Sequence, residues 1–244
     1  MTQEDNAVFL KPAVSSIDEA ISRMEEITAH LDQASPRGAE DGLACFNFLY
    51  TTITKRVREG IQDGFFEDVA FLTQLDIDFA NRYLTALRLY VSDEGKTPRS
   101  WHVLLERRLK EDIESIQFAV AGVNAHVNFD LALAVVMTCT ALRTEPNHGT
   151  QHADYLKINQ IFSEEMETLR QHYESADVRA VDGALSPVLN LVCNWSVEMA
   201  RDAAWEAAEH LWMLRRIDVA EDILTKKLDG LAALSGHLLL ASVG

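Results

Sequence analysis

The stretch that decides the fold runs from Val120 to Met137 and reads VAGVNAHVNFDLALAVVM. At the helical period of about 3.6 residues, its valine, leucine and alanine side chains occupy every face of the helix. A helix that is apolar on all sides is typical of a protein interior. The sequence therefore predicts one buried helix with no side left for water, around which the other helices pack.

Four polar residues interrupt this apolar helix at alternate positions: Asn124, His126, Asn128 and Asp130. Each needs a hydrogen-bond partner, because a buried polar group without one costs about 1–3 kcal/mol. His126 and Asp130 are four residues apart and share one face of the helix. Asn124 and Asn128 share a nearly opposite face, because a step of two residues turns the helix by about 200°. The central helix is therefore expected to have two polar faces.

The rest of the chain carries many helix signals and almost no strand signals. Ser16 and Glu19 have the spacing of a capping box, and Asp41 can cap the helix that follows it. No Asn-Gly or Asp-Gly pair joins two runs of alternating apolar residues. We therefore predict an all-α fold. It is a single-domain bundle of seven or eight helices around one buried central helix, covering 1–244 and ending in a helical segment at 217–244.

Proline and glycine place helix boundaries within longer apolar patterns. Thr97 and Pro98 form an N-cap and first-turn pair for a pattern that continues to about Arg143. We expect this pattern to break near Gly122, because glycine inside a helix costs about 1 kcal/mol relative to alanine. Ser186, which is followed by proline, is expected to start a later helix.

The charge of the chain argues against several classes of partner. Aspartate and glutamate outnumber lysine and arginine by 38 to 22, which gives a formal net charge of −16. This charge repels a phosphate backbone and an anionic bilayer, so we expect neither nucleic acid nor a membrane as partner. The longest uncharged apolar run, Leu131–Leu142, is too short to cross a bilayer. Because the N-terminus lacks the pattern of a secretion signal, we expect a cytoplasmic protein.

His126 and Asp130 are the strongest candidates for chemistry, and two interpretations of them are open. In the functional interpretation, their face of the helix opens into a pocket, where the histidine acts as a general base oriented by the aspartate, or both bind a metal. In the structural interpretation, the four polar residues tie neighbouring helices together through buried hydrogen bonds.

A second segment, LDIDFANRYLTAL, supplies further candidates in Asp76, Arg82 and Tyr83. A buried carboxylate needs a cation, so an ion pair between Asp130 and Arg82 is the plain structural explanation of these residues. The functional alternative adds Asp76 as a second group that could orient His126.

Two later helices supply candidates for ligand binding. Asp154 lies at a helix start, where an acid is usually a favourable end charge. Glu198, Arg201 and Trp205 follow one stripe of a tryptophan-rich helix. Tryptophans at this spacing are usually core residues, but an acid and a guanidinium between indole rings could also form a pocket wall. The chain has no phosphate-binding glycine loop, nucleophile elbow or di-iron motif.

Several segments together resemble a mainly bacterial helical family, the domain of unknown function numbered 5995. The resemblance covers about 41–212, and its most specific part is Asn124 to Asn128 followed by Asp130 and Leu131. Where the family commonly has proline after that pair, this chain has Ala132, which removes the kink that proline would introduce. The resemblance implies no activity. The positions that match the family signature are Asn47, Asp76, Phe79, Arg82, Tyr83, Trp101, Asn124, His126, Asn128, Asp130, Asp154, Tyr155, Asn159, Arg201 and Trp205.

We therefore expect an enzyme that acts on a small, largely apolar organic molecule by His/Asp acid–base chemistry, in the manner of a cyclase, isomerase, lyase or hydrolase, in a setting such as secondary metabolism. The expected catalytic residues are His126, Asp130, Asp76, Arg82 and Tyr83. The expected substrate-binding residues are Asn124, Asn128, Asp154, Glu198, Arg201 and Trp205.

No cofactor is firmly predicted, although a divalent metal on His126, Asp130 and Asp154 is an open alternative. The alternative function is a non-catalytic bundle that binds a small ligand or a partner helix. A third interpretation takes the buried polar network as a device for fold specificity. The sequence leaves the oligomeric state open.

Overall fold

The computed structural model describes residues 7–92, 94–177 and 196–242. Regular structure in these residues is entirely helical, as predicted, and forms a single domain. Two short 3-10 turns, Ala7–Leu10 and Gly38–Glu40, accompany the α-helices. The α-helices are α1 Ile17–Ala34, α2 Gly42–Gln62, α3 Val69–Ser92, α4 Arg99–Arg107, α5 Ser115–Ala125, α6 Ala132–Leu142, α7 Gln151–Asp177, α8 Val197–Leu214 and α9 Asp218–Leu239.

The described residues thus form nine α-helices, where seven or eight were predicted. The difference arises from the central helix, because a π-helical turn over His126–Leu131 joins α5 to α6 without interrupting the rod. A π-helical turn uses i→i+5 hydrogen bonds and is frequently found at functional sites. The four polar residues of the central stretch lie in or beside this turn.

Burial of the central helix is complete only in its first two thirds. Every residue of α5 except Ile116 is buried, since α2, α4 and α9 pack around it. In α6, by contrast, Leu133 and Val136 are half-buried and Met137 is exposed. The expectation that no side is left for water is therefore wrong beyond Ala132, because α6 is covered mainly by α3 and α8.

Over its full length, Ser115–Leu142, this helix is long and apolar enough to cross a membrane by length and composition alone. In its most apolar window, 61% of the helix is buried inside the fold. The core helix of a soluble protein has the same properties, so this finding is weak evidence for a membrane span.

The break predicted near Gly122 lies elsewhere. The chain leaves the helical path after α4, and α5 begins at Ser115 with a capping box formed by Glu114 and Gln117. Gly122 instead lies inside α5, where a Cβ atom would stand 2.4 Å from the ring of Phe46 on α2. The glycine therefore permits the close approach of α5 and α2, which is a different reason for glycine in a helix.

Helix caps of α1 and α2 follow the sequence signals. Ser16 Oγ accepts a hydrogen bond from Glu19 N at 3.1 Å, and Asp41 Oδ1 accepts one from Leu43 N at 2.9 Å. The Glu19 carboxylate accepts from Ser15 N, one residue earlier than a standard capping box requires. The predicted helix start at Ser186 lies outside the described residues.

The close approach at Gly122 gives a test of this packing. We expect Gly122→Ala to lower the free energy of unfolding by about 1–3 kcal/mol, because the new methyl group must displace the Phe46 ring. Gly230 in α9 is the matched control, since nothing lies within 4 Å of its Cβ position. Gly230→Ala should raise stability by about 0.5–1 kcal/mol. Chemical denaturation of both variants measures the difference, and equal effects would contradict the close approach.

Candidate functional site

His126 and Asp130 form a buried pair within the π-helical turn. The distance from His126 Nδ1 to Asp130 Oδ2 is 3.1 Å, and the two residues are 2% and 0% exposed. The same Oδ2 accepts a hydrogen bond from Trp101 Nε1 at 2.7 Å. The other oxygen, Oδ1, accepts from Arg82 Nε at 3.0 Å. Asp130 is thus a fully paired carboxylate with donors from α3, α4 and its own turn.

These partners determine which nitrogen of His126 carries the proton. Because Arg82 and Trp101 hold Asp130 as an ionised acceptor, we assign the proton of the neutral imidazole to Nδ1. The Nε2 atom then presents a lone pair. Burial lowers the pKa of His126 and the hydrogen bond with Asp130 opposes this, with a net direction below the ordinary value. The imidazole is therefore held neutral, as a general base must be before it accepts a proton.

Aromatic side chains hold the imidazole ring in place. The Phe79 ring stacks on it at a centroid distance of 3.4 Å and an interplanar angle of 8°. Tyr50 meets the same ring edge-on at 4.5 Å, and Phe46 does so at 5.8 Å. With Nδ1 fixed by Asp130 and the ring plane fixed by Phe79, the direction of Nε2 is fully determined.

Beside His126 lies a cavity of about 50 Å³ between α2, α3, α5, α7 and α8. This is room for roughly three to five water molecules, since each needs about 10–15 Å³. Its walls are mostly aliphatic and aromatic side chains. The polar residues that line it are Tyr50, Thr54, Asp76, His126 and Arg201.

Four buried polar atoms of this cavity lack a hydrogen-bond partner of good geometry: His126 Nε2, Asp76 Oδ2, and the hydroxyl oxygens of Tyr50 and Thr54. The hydroxyls of Tyr50 and Thr54 lie near each other, and this contact opposes the rise in the pKa of Tyr50 that burial causes. Buried polar groups in proteins are nearly always paired, and each exception calls for an explanation. A cluster of such atoms around one cavity is the arrangement expected where a ligand completes the hydrogen bonds.

Asp76 is the titratable group of the cavity with the most altered proton affinity. Asp76 as a whole is half-buried, but its Oδ2 atom is not accessible to solvent. Burial raises the pKa of Asp76 from an ordinary value of 3.8 to about 7. The carboxyl group therefore exchanges its proton near neutral pH, which suits a general acid or base.

Arg201 of α8 forms part of the cavity wall, and it is 3% exposed. Its Nε donates to Asn159 Oδ1 at 2.7 Å and its Nη2 donates to the main-chain oxygen of Tyr155 at 2.8 Å. The guanidinium carbon also lies 4.1 Å from the centroid of the Tyr155 ring. Burial lowers the pKa of Arg201 from its ordinary value.

Three of the five expected catalytic residues do not line the cavity: Asp130, Arg82 and Tyr83. Arg82 stands behind Asp130 and reaches the site only through that carboxylate. The Tyr83 hydroxyl donates to Asn47 Oδ1 at 2.9 Å, so its polar end is turned toward a different network. Arg82 is therefore a positioning residue, and Tyr83 contributes its ring to the core.

Most residues expected to bind substrate also lie elsewhere. Asn124 Nδ2 donates to the main-chain oxygen of Ala232 at 2.8 Å, and Asn124 Oδ1 accepts from Asn128 Nδ2 at 2.9 Å. This asparagine face thus ties α9 to the central helix. Glu198 is exposed. Trp205 Nε1 donates to Asn147 Oδ1 at 2.9 Å, away from the cavity.

Asp154 lies in the first turn of α7, and its carboxylate binds the main chain just before α3. Its Oδ2 accepts from the main-chain nitrogens of Glu67 and Asp68 at 2.8 Å and 2.6 Å, and its Oδ1 accepts from Lys157 Nζ at 2.8 Å. Both oxygens are thereby used, and the residue does not line the cavity of His126. In the part of the chain that the structure describes, no group of three or more histidine, cysteine or acidic side chains could hold a metal ion. The metal set that includes Asp154 is therefore not brought together.

Tyr50 and Thr54 were not predicted as site residues. They are four residues apart on the buried face of α2, in the segment FNFLYTTITKRV, and this spacing is the signal that could have identified them. Trp101 matched the family signature, but its hydrogen bond to Asp130 depends on the packing of α4 against the central helix.

Fold and site together define an all-α protein with a buried His–Asp pair beside an apolar cavity. The chain belongs to the family of unknown function DUF5995, whose model matches residues 17–242. This match confirms the resemblance found in the sequence and extends beyond 41–212 at both ends. No curated protein and no solved structure matches the chain. Because the family description names no activity, a function must be argued from the site itself.

The raised pKa of Asp76 makes stability depend on pH. The folded protein keeps a proton that the unfolded chain releases, so this contribution is complete below about pH 4 and is lost as the pH rises to and through about 7. Asp76→Asn removes the dependence. As the pH rises from about 5 to about 8, the free energy of unfolding of the variant should increase by up to about 2 kcal/mol relative to that of the wild type.

Denaturation curves across this pH range measure the change. The matched control is Asp32→Asn, because Asp32 is an exposed aspartate on α1. Over the same pH range, the free energy of unfolding of Asp32→Asn should increase less relative to the wild type than that of Asp76→Asn. A difference between Asp76→Asn and the wild type that stays constant with pH would contradict the altered pKa.

The tautomer of His126 is a separate prediction. Nitrogen NMR at neutral pH should show a protonated Nδ1 and an unprotonated Nε2 for this residue. In Asp130→Asn, where the new side-chain amide can donate to Nδ1, the proton should move to Nε2. A protonated Nε2 in the wild-type protein would contradict the assignment.

Proposed function

We propose that the protein is an enzyme that performs acid–base chemistry on a small, largely apolar organic molecule bound in the cavity beside His126. The observation that carries the proposal is the buried Nε2 atom of His126, which has no partner among the described residues. An unpaired polar atom of this kind is costly, and such costs concentrate at functional sites. The orientation of this atom by Asp130 adds the second element of a catalytic dyad.

In the proposed reaction, His126 Nε2 removes a proton from a C–H or O–H group of the bound molecule. The resulting imidazolium is stabilised by Asp130, which stays ionised because Arg82 and Trp101 hold it. Asp76, protonated at neutral pH in a large fraction of molecules, returns a proton to a second atom. Transfer of the proton from the His126 imidazolium to the Asp76 carboxylate, directly or through water, then restores both groups, so the protons balance over one turnover.

This set of groups suits isomerisation, cyclisation or elimination, which need only proton transfer between positioned groups. Hydrolysis would also need a water molecule, for which the cavity has room. The apolar walls favour a molecule with few polar atoms. The proposal includes a cytoplasmic setting and neither nucleic acid nor a membrane as partner, on the ground of the net charge of −16.

The second candidate function is non-catalytic binding of a small ligand. It is favoured by the small volume and mainly apolar lining of the cavity, because such a cavity can bind a ligand without transforming it. Binding alone requires the walls of the cavity, but it does not require a particular proton on His126.

Incubation of the purified protein with a metabolite extract, followed by mass spectrometry, tests the two functions. We expect the wild type to convert a small molecule and His126→Gln to convert it about 10²–10⁴-fold more slowly, because the general base is lost. His102→Gln is the matched control, since this histidine on α4 is exposed and lies outside the cavity.

The proteins must be compared at equal folded fractions, as judged by circular dichroism. A molecule that is retained by the wild type but not converted would favour the binding function. Equal conversion by His126→Gln and the wild type would rule out His126 as the base.

A further inference from the structure

Arg201 is a buried cation at the wall of the cavity, and its hydrogen bonds to the described residues are with uncharged groups. Its hydrogen bonds go to an amide oxygen of Asn159 and a main-chain oxygen of Tyr155. The rings of Tyr155 and Phe162 lie 4.1 Å and 5.9 Å from its guanidinium carbon. These groups stabilise the guanidinium but leave its positive charge uncompensated.

No carboxylate among the described residues forms an ion pair with Arg201. Asp76 lines the same cavity, yet it is not within ion-pairing distance, and burial alone accounts for its altered pKa. Asp202 influences the pKa of Arg201, but it is exposed and also makes no ion pair with it. Buried charges in proteins are normally paired, because an isolated one is costly. The described fold therefore lacks the counter-ion of Arg201.

We propose that the counter-ion is the ligand, and that the molecule bound beside His126 is a short-chain monocarboxylate whose carboxylate binds Arg201. This inference rests on the proposed function and names its substrate class. An arginine binds a carboxylate through charge-assisted hydrogen bonds, often two in parallel. Among the described residues, Arg201 uses two of its five N–H groups, so donors remain for such an interaction.

The chemistry of the cavity favours a monocarboxylate over other anions. A phosphate group carries more charge and more acceptor oxygens than one guanidinium can satisfy. No second cation lines the cavity among the described residues. The remaining walls are aliphatic and aromatic, and they suit a short hydrocarbon chain. A carboxylate held at Arg201 would leave that chain to extend along these walls toward His126 and Asp76.

A comparison of an acid with its uncharged amide tests the inference on the wild-type protein. We expect sodium acetate, which has four non-hydrogen atoms and suits a cavity of about 50 Å³, to bind, as measured by calorimetry and by a rise in Tm. Acetamide should bind at least about tenfold more weakly. Sodium chloride at equal ionic strength controls for salt effects. This comparison decides the question even if substitutions of Arg201 prevent folding.

Variants then locate the interaction. Arg201→Gln should weaken acetate binding by about tenfold or more, whereas Arg216→Gln, at an exposed arginine, should leave it unchanged. His126→Gln should retain acetate binding within about threefold, because the carboxylate is held at Arg201. Acetate affinity therefore reports on Arg201 independently of catalysis by His126.

Acetamide binding as tight as acetate binding, no binding of acetate, or unchanged binding in a folded Arg201→Gln variant would each overturn the inference. The proposed function would survive these outcomes if conversion of an extract molecule still depended on His126, since the substrate would then be uncharged. The proposed function would fail separately if acetate bound as expected but no conversion depended on His126.

Discussion

The structure depends on one buried carboxylate, that of Asp130. A buried ionised group is tolerated only when donors surround it, and Asp130 receives one each from α3, α4 and its own helical turn. These three hydrogen bonds fix the position of Arg82, the side chain of Trp101 and the tautomer of His126 at the same time. Packing of the helices and orientation of the candidate base are therefore consequences of the same interaction.

The central helix has two polar faces, and they differ in whether their polar groups have hydrogen-bond partners. On one face, Asn124 and Asn128 are paired with each other and with the main chain of α9, so their polar groups serve the fold. On the other face, His126 keeps Nε2 unpaired beside a cavity. A network that served only fold specificity would be expected to satisfy both faces, because an unpaired atom adds cost without adding an interaction. The asymmetry is the physical reason to regard the His126 face as a site.

Electrostatics in the cavity differ from those of the whole chain. The protein carries a formal net charge of −16, whereas the cavity contains a buried guanidinium, a neutral imidazole and a carboxyl group whose pKa is raised to about 7. Exclusion of water is the common cause, because burial disfavours the charged form of each titratable group. A cavity of this kind combines a proton acceptor, a proton donor and a cation within mostly apolar walls.

The sequence by itself determined the all-α fold and the importance of the stretch 120–137, because apolar periodicity and helix caps are local properties of the chain. It also identified His126 with Asp130 as one face, since spacing on a helix fixes which side chains are neighbours. Only the tertiary structure decided that Gly122 allows close packing, that Asp154 binds the main chain just before α3, and that Tyr50, Thr54, Asp76 and Arg201 share a cavity. These features depend on contacts between helices far apart in the chain, and hydrophobic periodicity records which side of a helix is buried but not what lies against it.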